Sequence, residues 1–259
     1  MPRFYLRAEA GSGPRVTFDA QETRHLARVL RLGPGDVVQA VDGRGQELTV
    51  RLTRVDTRSA EGLILAREGG QRESPLHLTL VQGLPKGDKL ETIIRMATEL
   101  GVTRVVPVVT ERTVVRTDAA HRAGRLARWQ RVAREAAKQC GRTVIPEVAA
   151  ARPLAEWLRD GRPDGLLLCL WEEERALLAD RLPPAPVSAA TLVVGPEGGL
   201  AASEVEGLGA AGAVVASLGP RVLRTETAGP VGLALLQARY GDLGAAPRTG
   251  SEARRQPAG

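Results

Sequence analysis

The chain has 259 residues, 43% of them hydrophobic, enough for one large core or two modest ones. Its 36 Lys and Arg exceed its 30 Asp and Glu, and the resulting formal charge of +6 makes a polyanion a better partner than an acidic protein. Cys140 and Cys169 stand far apart, with no C-x-x-C spacing and no histidine pattern around them, and no stretch approaches the roughly 20 apolar residues that cross a bilayer, which argues against metal, disulfide and membrane roles. The opening Met1-Pro2-Arg3-Phe4-Tyr5-Leu6 has no apolar signal region, and a cytoplasmic protein is expected.

Residues 1–72 read as a small β-rich domain. Val37-Val38-Gln39-Ala40-Val41 runs into Asp42-Gly43, and 47–55 alternates apolar with polar side chains. Between them, 19–32 has the period of one helix, with Leu26, Val29 and Leu30 on its apolar side, ended by Gly33-Pro34-Gly35. Residues 67–75 have loop composition and mark the boundary. Beyond it, apolar runs at 76–81, 104–109, 165–170, 191–194 and 213–218 alternate with helical patterns at 88–100, 120–140, 154–160, 203–211 and 227–240. That alternation predicts an α/β domain over 73–243 with a mostly parallel sheet. Residues 244–259 contain nothing to bury and are expected to be a disordered tail.

The charge is concentrated. From Lys86 to Arg142 there are 13 basic and 6 acidic residues. In the helix at 120–140, Leu126, Trp129, Val132, Ala133, Ala136 and Cys140 share one side while Arg128, Arg131, Arg134 and Lys138 face the other. That is either a solvated helix face or part of a nucleic-acid surface. Only Lys86, Lys89 and Lys138 are lysines, so arginine content reflects a GC-rich genome as readily as selection for guanidinium chemistry.

Two strings carry chemistry. Leu192-Val193-Val194 runs into Gly195-Pro196-Glu197-Gly198-Gly199-Leu200, a glycine turn at the carboxyl end of a strand, where open α/β sheets place their ligands. It is neither G-x-G-x-x-G nor a P-loop, and Glu197 would repel a pyrophosphate. Alone, it is equally an ordinary strand-to-helix connection. The second string, Ser217-Leu218-Gly219-Pro220-Arg221-Val222-Leu223-Arg224-Thr225-Glu226-Thr227-Ala228, also joins a strand to a helix.

Together these strings resemble the SPOUT superfamily of knotted RNA methyltransferases, and within it the RsmE family, which methylates N3 of uracil-1498 in 16S ribosomal RNA. The resemblance extends to Gly83-Leu84-Pro85-Lys86-Gly87-Asp88-Lys89-Leu90-Glu91, to Ala97-Thr98-Glu99-Leu100-Gly101-Val102, and to Arg134-Glu135-Ala136-Ala137-Lys138-Gln139-Cys140-Gly141-Arg142. It ends in Leu236-Gln237-Ala238-Arg239-Tyr240-Gly241-Asp242, while His25 to Leu32 and Gly35-Asp36 are similar to the family's N-terminal module. Two features depart from the pattern: Gly229-Pro230 at the start of the last helix, tolerable if Pro230 lies in the first turn, and the tail.

The resemblance implies an α/β fold with a SPOUT-type parallel sheet and a C-terminal trefoil knot, preceded by a small PUA-like β-barrel domain for RNA. It implies S-adenosyl-L-methionine as cofactor, no metal, a homodimer, and 16S ribosomal RNA or the 30S subunit as partner. The cofactor would lie among three loops: Leu170, Trp171 and Glu172; Gly195, Pro196, Glu197, Gly198, Gly199 and Leu200; and Leu218, Gly219, Leu223, Thr225, Thr227 and Ala228. A side chain added at Gly198 or Gly199 is expected to intrude on it.

Methyl transfer to N3 needs the imide deprotonated, which makes Glu226 the candidate base and Arg224 the candidate partner of the resulting oxyanion. The alternative is that these two pair with each other to shape the loop. Phosphate candidates are Arg3, Arg28, Arg31, Lys86, Lys89, Arg134, Lys138 and Arg142, with Gln139 facing the base. The competing functions are a SPOUT ribose 2′-O-methyltransferase and a catalytically silent RNA-binding factor in ribosome assembly.

Overall fold

A computed structural model describes residues 3–6, 13–70, 72–114, 119–160, 163–184 and 186–244, apart from the side chains of 119–122. The expected tail lies outside the described residues from 245 onward. The chain forms two compact units. Among the described residues the first unit comprises those of 3–73 and 137–145, and the second those of 74–136 and 146–244.

In the first unit, strands β1 (Arg3–Tyr5), β2 (Arg15–Thr17), β3 (Val37–Val41), β4 (Gln46–Val55) and β5 (Ala60–Gly69) form one sheet in the order β1-β3-β4-β5-β2. A bridge between Leu6 and Phe18 joins its two edges, so the sheet curls closed. Alternating side chains such as Val38, Ala40, Leu48, Val50 and Leu52 fill the interior with Phe4, Phe18 and Leu26. Strand β5 takes up 67–69, three residues of the segment expected to be loop, because the β4–β5 ladder continues to Gln46 opposite Gly69.

The single helix expected at 19–32 is not formed. Asp19 caps a short α1 (Ala20–Arg24) by accepting the Glu22 N–H at 2.8 Å, and the chain then widens into a π turn over His25–Val29. The extra residue per turn keeps Leu26 fully buried but swings Val29 out to 68% exposure, and Arg31 follows in the left-handed region at φ 54°. The pull of the Leu26 anchor on a closing loop overrides the local helical period.

The second unit has a parallel sheet in the order β12-β10-β11-β6-β7-β8, with β9 also pairing to β7. Its strands are β6 (His77–Gly83), β7 (Arg104–Val109), β8 (Glu147–Val148), β9 (Arg152–Pro153), β10 (Leu166–Leu170), β11 (Ala189–Val194) and β12 (Val214–Ala216). Side chains alternate between two cores. Leu168, Leu170, Leu192 and Val194 point to the layer containing α2 (Lys89–Glu99) and α7 (Thr225–Tyr240), while Leu167, Cys169 and Val193 point to the layer of α4 (Leu154–Arg159) and α6 (Ala202–Ala210). Helix α2 buries Leu90, Ile93, Ile94 and Ala97, an i, i+3, i+4, i+7 stripe. The long α3 (Ala119–Cys140) buries Trp129, Ala133 and Ala136 as its sequence pattern requires, and α5 (Leu178–Arg181) is a single turn.

Helix α7 begins two residues before the expected position, with Arg224 as its N-cap, so Pro230 falls in the second turn and not the first. The proline removes the amide that the Glu226 carbonyl would otherwise accept. The helix nonetheless packs close to the sheet, since Gly232 lies where a Cβ would come within 2.6 Å of Leu192.

Candidate functional site

Strands β10 and β11 end at Leu170 and Val194, and beyond these ends and that of β12 lies a cavity of about 780 Å³. This is the position that topology assigns to ligands in open α/β sheets, and the size suits a nucleoside-sized molecule. Of the residues expected to hold a cofactor, Leu170, Trp171, Glu172, Gly195, Pro196, Glu197, Gly199, Leu218, Gly219, Leu223, Thr225 and Ala228 line it. Gly198, Leu200 and Thr227 do not. Leu200 is 1% exposed and packs into the core with Val205 and Leu208, so its side chain belongs to the α6 layer.

The cavity joins apolar walls, from Leu170, Val194, Leu218 and Leu223, to the carboxylates of Glu172, Glu174 and Glu197. Trp171 adds an indole N–H that is buried without an acceptor among the described residues. Such a lining matches a flat apolar base with acceptor atoms joined to a cationic group. Cys169, just below on β10, is not a nucleophile. Burial, with Glu172 and Glu204 adding negative charge, pushes its thiol up to about 12.

Gly199 adopts φ +73°, which favours glycine, and a Cβ there would lie 2.1 Å from a Glu172 carboxylate oxygen, so the Glu172 side chain lies against the turn. Gly198 differs from the expectation. Its added Cβ would meet the Arg112 side chain at 3.2 Å, and the Arg112 guanidinium donates to the Gly198 carbonyl at 3.1 Å.

Sequence reasoning missed Gln82. It is fully buried at the end of β6, and its Nε2 donates to the carbonyls of Gly83 (3.1 Å) and Gly195 (3.2 Å) and to Thr225 Oγ1 (2.9 Å). Thr225 Oγ1 in turn donates to the Gly195 carbonyl at 2.7 Å. One side chain thus ties the glycine turn to the start of α7. The available signal was a lone polar residue in the apolar run Leu80-Val81-Gln82-Gly83-Leu84. Gln82→Met is expected to cost about 1–3 kcal/mol by taking the Nε2 donor from the Gly83 carbonyl and from Thr225 Oγ1, while the Gly195 carbonyl keeps its bond from Thr225. Denaturant unfolding checks this, and a stability change under about 0.5 kcal/mol contradicts it.

Arg224 is exposed and lines the cavity, while Glu226 sits in the first turn of α7, where the helix dipole favours a carboxylate. Among the described residues no ion pair joins them. The partner of Glu226 is Lys89, whose Nζ lies 3.4 Å from Glu226 Oε2 and 2.9 Å from Glu197 Oε1. Glu197 also accepts the Lys86 backbone N–H on both oxygens, at 3.2 and 3.3 Å. Burial works against its charge, but the Lys89 hydrogen bond and the backbone donors hold its carboxyl below the ordinary range. The hydrogen bond from Lys89 to Glu197 raises the ammonium above its ordinary value. The Glu197 contribution is therefore complete above the usual glutamate range and lost as pH falls through the lowered value. The Lys89 contribution is complete below the usual lysine range and lost only as pH rises through the raised one.

Three phosphate candidates are engaged elsewhere. Arg3 pairs with Glu47 at 2.9 Å and donates to the Gly141 carbonyl. Lys138 binds both oxygens of Glu22, itself 2% exposed, at 2.7 and 2.8 Å. Arg142 is 5% exposed on Glu73 at 2.8 Å. All six lie in the first unit, and their charges hold it together. Arg28, Arg31, Lys86 and Gln139 are exposed and Arg134 is half-buried.

Residues 72–237 match the model of the RNA methyltransferase domain, and 18–65 match that of the RNA methyltransferase PUA domain. The ribosomal RNA small subunit methyltransferase E of Bacillus subtilis is 31% identical over 88% of this chain and 93% of its own length. This chain belongs to that RNA methyltransferase family, RsmE. The enzyme of the same name from Synechocystis is 37% identical over 86% of this chain and 73% of its own length. The crystal structure of the Neisseria gonorrhoeae enzyme, bound to S-adenosyl methionine, superposes with a TM-score of 0.83 at 36% identity, covering 93% of this chain and 99% of that one. Family and fold class, a parallel α/β sheet with a curled PUA-like sheet before it, therefore agree with the resemblance in the motifs. No helix among the described residues is long and apolar enough to cross a membrane.

Proposed function

We propose that this RsmE family member transfers the methyl group of S-adenosylmethionine to N3 of uracil-1498 in 16S ribosomal RNA, on the assembled small subunit. The main support is the meeting of the glycine turn with the start of α7, which puts Arg224 on the wall of a cavity suited to the cofactor and Glu226 beside the cavity-lining Lys89.

In this reading the cofactor supplies an electrophilic methyl group. Leu170, Leu218 and Leu223 would hold its adenine, the Trp171 N–H would be free to donate to it, and Glu172, Glu174 and Glu197 would favour its positive charge. Glu226 accepts the N3 proton and Arg224 faces a carbonyl oxygen of the ionised base.

Residues 1–72 serve as the PUA-like RNA-binding domain and 73–243 as the SPOUT methyltransferase domain, with the three loops threaded as a trefoil knot. The protein works in the cytoplasm, and as a homodimer it would cover Leu235, an apolar residue 42% exposed on α7. RNA phosphates are met by Arg28, Arg31, Lys86 and Arg134, with Gln139 near the base.

The exposed and the paired basic residues should behave differently when replaced. Arg28→Ala with Arg31→Ala lowers small-subunit affinity and shallows its salt slope by about 0.7 for each phosphate no longer neutralised. Lys138→Ala instead leaves Glu22 buried without its partner and costs about 3 kcal/mol of stability. A Lys138→Ala protein of wild-type melting temperature and shallower salt slope contradicts the division. Nucleoside mapping of 16S RNA from a strain lacking this protein tests the function: the N3 methyl at uracil-1498 is expected to be absent, and its persistence overturns the reading.

A further inference from the structure

The geometry points to Lys89 as a third charged group of the reaction. We propose that Lys89 follows the negative charge from Glu226 to the uracil as the proton moves, and that it is not a phosphate contact. This rests on the reading of Glu226 as the base.

Lys89 is the first residue of α2 and lines the cavity, and its side chain is 37% exposed, so its ammonium is reachable from the substrate side. It lies 2.9 Å from Glu197 Oε1 and 3.4 Å from Glu226 Oε2. Glu197 is fixed in turn by the Lys86 backbone N–H. One carboxylate therefore anchors the ammonium while the other, at the longer distance, is the proposed base. A phosphate would have to draw Lys89 away from both, leaving Glu197 and Glu226 uncompensated beside each other.

The charges balance through the step. Before it, Lys89 carries one positive charge and Glu197 and Glu226 one negative charge each, facing a neutral uracil. When the N3 proton passes to Glu226, that carboxyl becomes neutral and the negative charge resides on the imide. An ammonium has three N–H donors, so Lys89 keeps its pairing with Glu197, and an N–H not engaged there is offered to the adjacent uracil oxygen as the ion pair with Glu226 is neutralised. The N3 lone pair then forms the bond to the methyl carbon, and the carbon–sulfur bond breaks with its electron pair left on sulfur. The proton on Glu226 leaves to water once the neutral methylated base departs. Arg224, exposed and without an ion pair to Glu226, attends the other side of the base.

The test compares Lys89→Met, Lys89→Arg and Glu226→Gln. It measures single-turnover methylation at saturating small subunit and S-adenosylmethionine, cofactor affinity by calorimetry, and subunit affinity across salt concentrations. Lys89→Met is expected to slow the saturated turnover about 100-fold, the scale of removing one donor to a developing oxyanion. Subunit affinity should stay within about threefold and the salt slope should not change, while Lys89→Arg restores most of the rate because it keeps the charge. In the Glu226→Gln background, Lys89→Met should add little, since both act on the same proton transfer.

A wild-type saturated rate in Lys89→Met, with weaker subunit binding and a shallower salt slope, overturns the proposal in favour of a phosphate contact. Cofactor binding abolished in both Lys89 variants overturns it in favour of a structural pin. Wild-type turnover in Glu226→Gln removes the base reading itself, whereas an impaired Glu226→Gln beside an unimpaired Lys89→Met removes only the role of Lys89.

Discussion

Replacing Glu226 with Gln is expected to lower methyl transfer by about 10²- to 10⁴-fold, the usual contribution of a positioned base, with cofactor affinity retained. The side chain does not line the cavity, so the cofactor keeps its surroundings, while the charge that Glu226 manages exists only as N3 is deprotonated and attacked. Arg224→Ala should slow transfer about 10²- to 10³-fold for the complementary reason, as one donor to the uracil oxyanion disappears. The two variants separate under alkali. Raising pH supplies ionised uracil from solution and should partly rescue Glu226→Gln, whereas Arg224→Ala still lacks its cation and should respond less. The ion pair of Lys89 with Glu197 does not confound this experiment, because the raised Lys89 value moves its loss to higher pH. Single-turnover methylation of small subunits with tritiated cofactor across pH measures both. Wild-type rates in both variants eliminate the pair as chemistry, and loss of cofactor binding in both assigns them to loop structure.

Replacing Gly199 with Val is expected to abolish cofactor binding, to below about a hundredth of wild-type affinity, while the parallel sheet stays folded. Two effects combine. A β-branched residue at φ +73° is strained by a few kcal/mol, and its Cβ would stand 2.1 Å from the Glu172 carboxylate, so that side chain must turn away from its place on the cavity wall. Gly198→Ala should be far milder, because its Cβ faces Arg112 at 3.2 Å, on the side away from the cavity lining. Calorimetric titration with S-adenosylhomocysteine, with far-ultraviolet circular dichroism as the folding control, gives the comparison. Equal losses in the two variants would contradict the division of the turn into a cavity side and an Arg112 side.

The parallel sheet was legible because burial on both faces writes its strands as uninterrupted apolar runs. Arg104–Val109 carries the same ends in sequence and structure. The short strands β1, β2, β8 and β9 were not legible, since so short a segment has no period and, unlike the three-residue β12, none of them lies in a longer apolar run that marks it. The π turn at His25–Val29 was hidden for a related reason: a packing demand on Leu26 outweighs a locally good helical pattern. The loops of the candidate site could be placed because glycine, proline and charge cluster after a strand. The roles of single basic residues could not. Whether a lysine meets phosphate or a buried glutamate depends on pairings across the fold, as between Lys138 and Glu22 or Lys89 and Glu226, which leave no mark in the local sequence. Gln82 was missed because one polar residue in a strand is silent until its three acceptors are brought to it.

Methylation at a single position can be read by incubating the purified protein with S-adenosylmethionine and small subunits from a strain that lacks it, then locating the new methyl group by mass spectrometry of 16S RNA fragments and nucleosides. One added methyl is expected, on N3 of uracil-1498, dependent on Glu226 and undiminished by chelators. A methyl on a ribose 2′-hydroxyl, on another nucleotide, or nowhere in the RNA would contradict the assigned reaction.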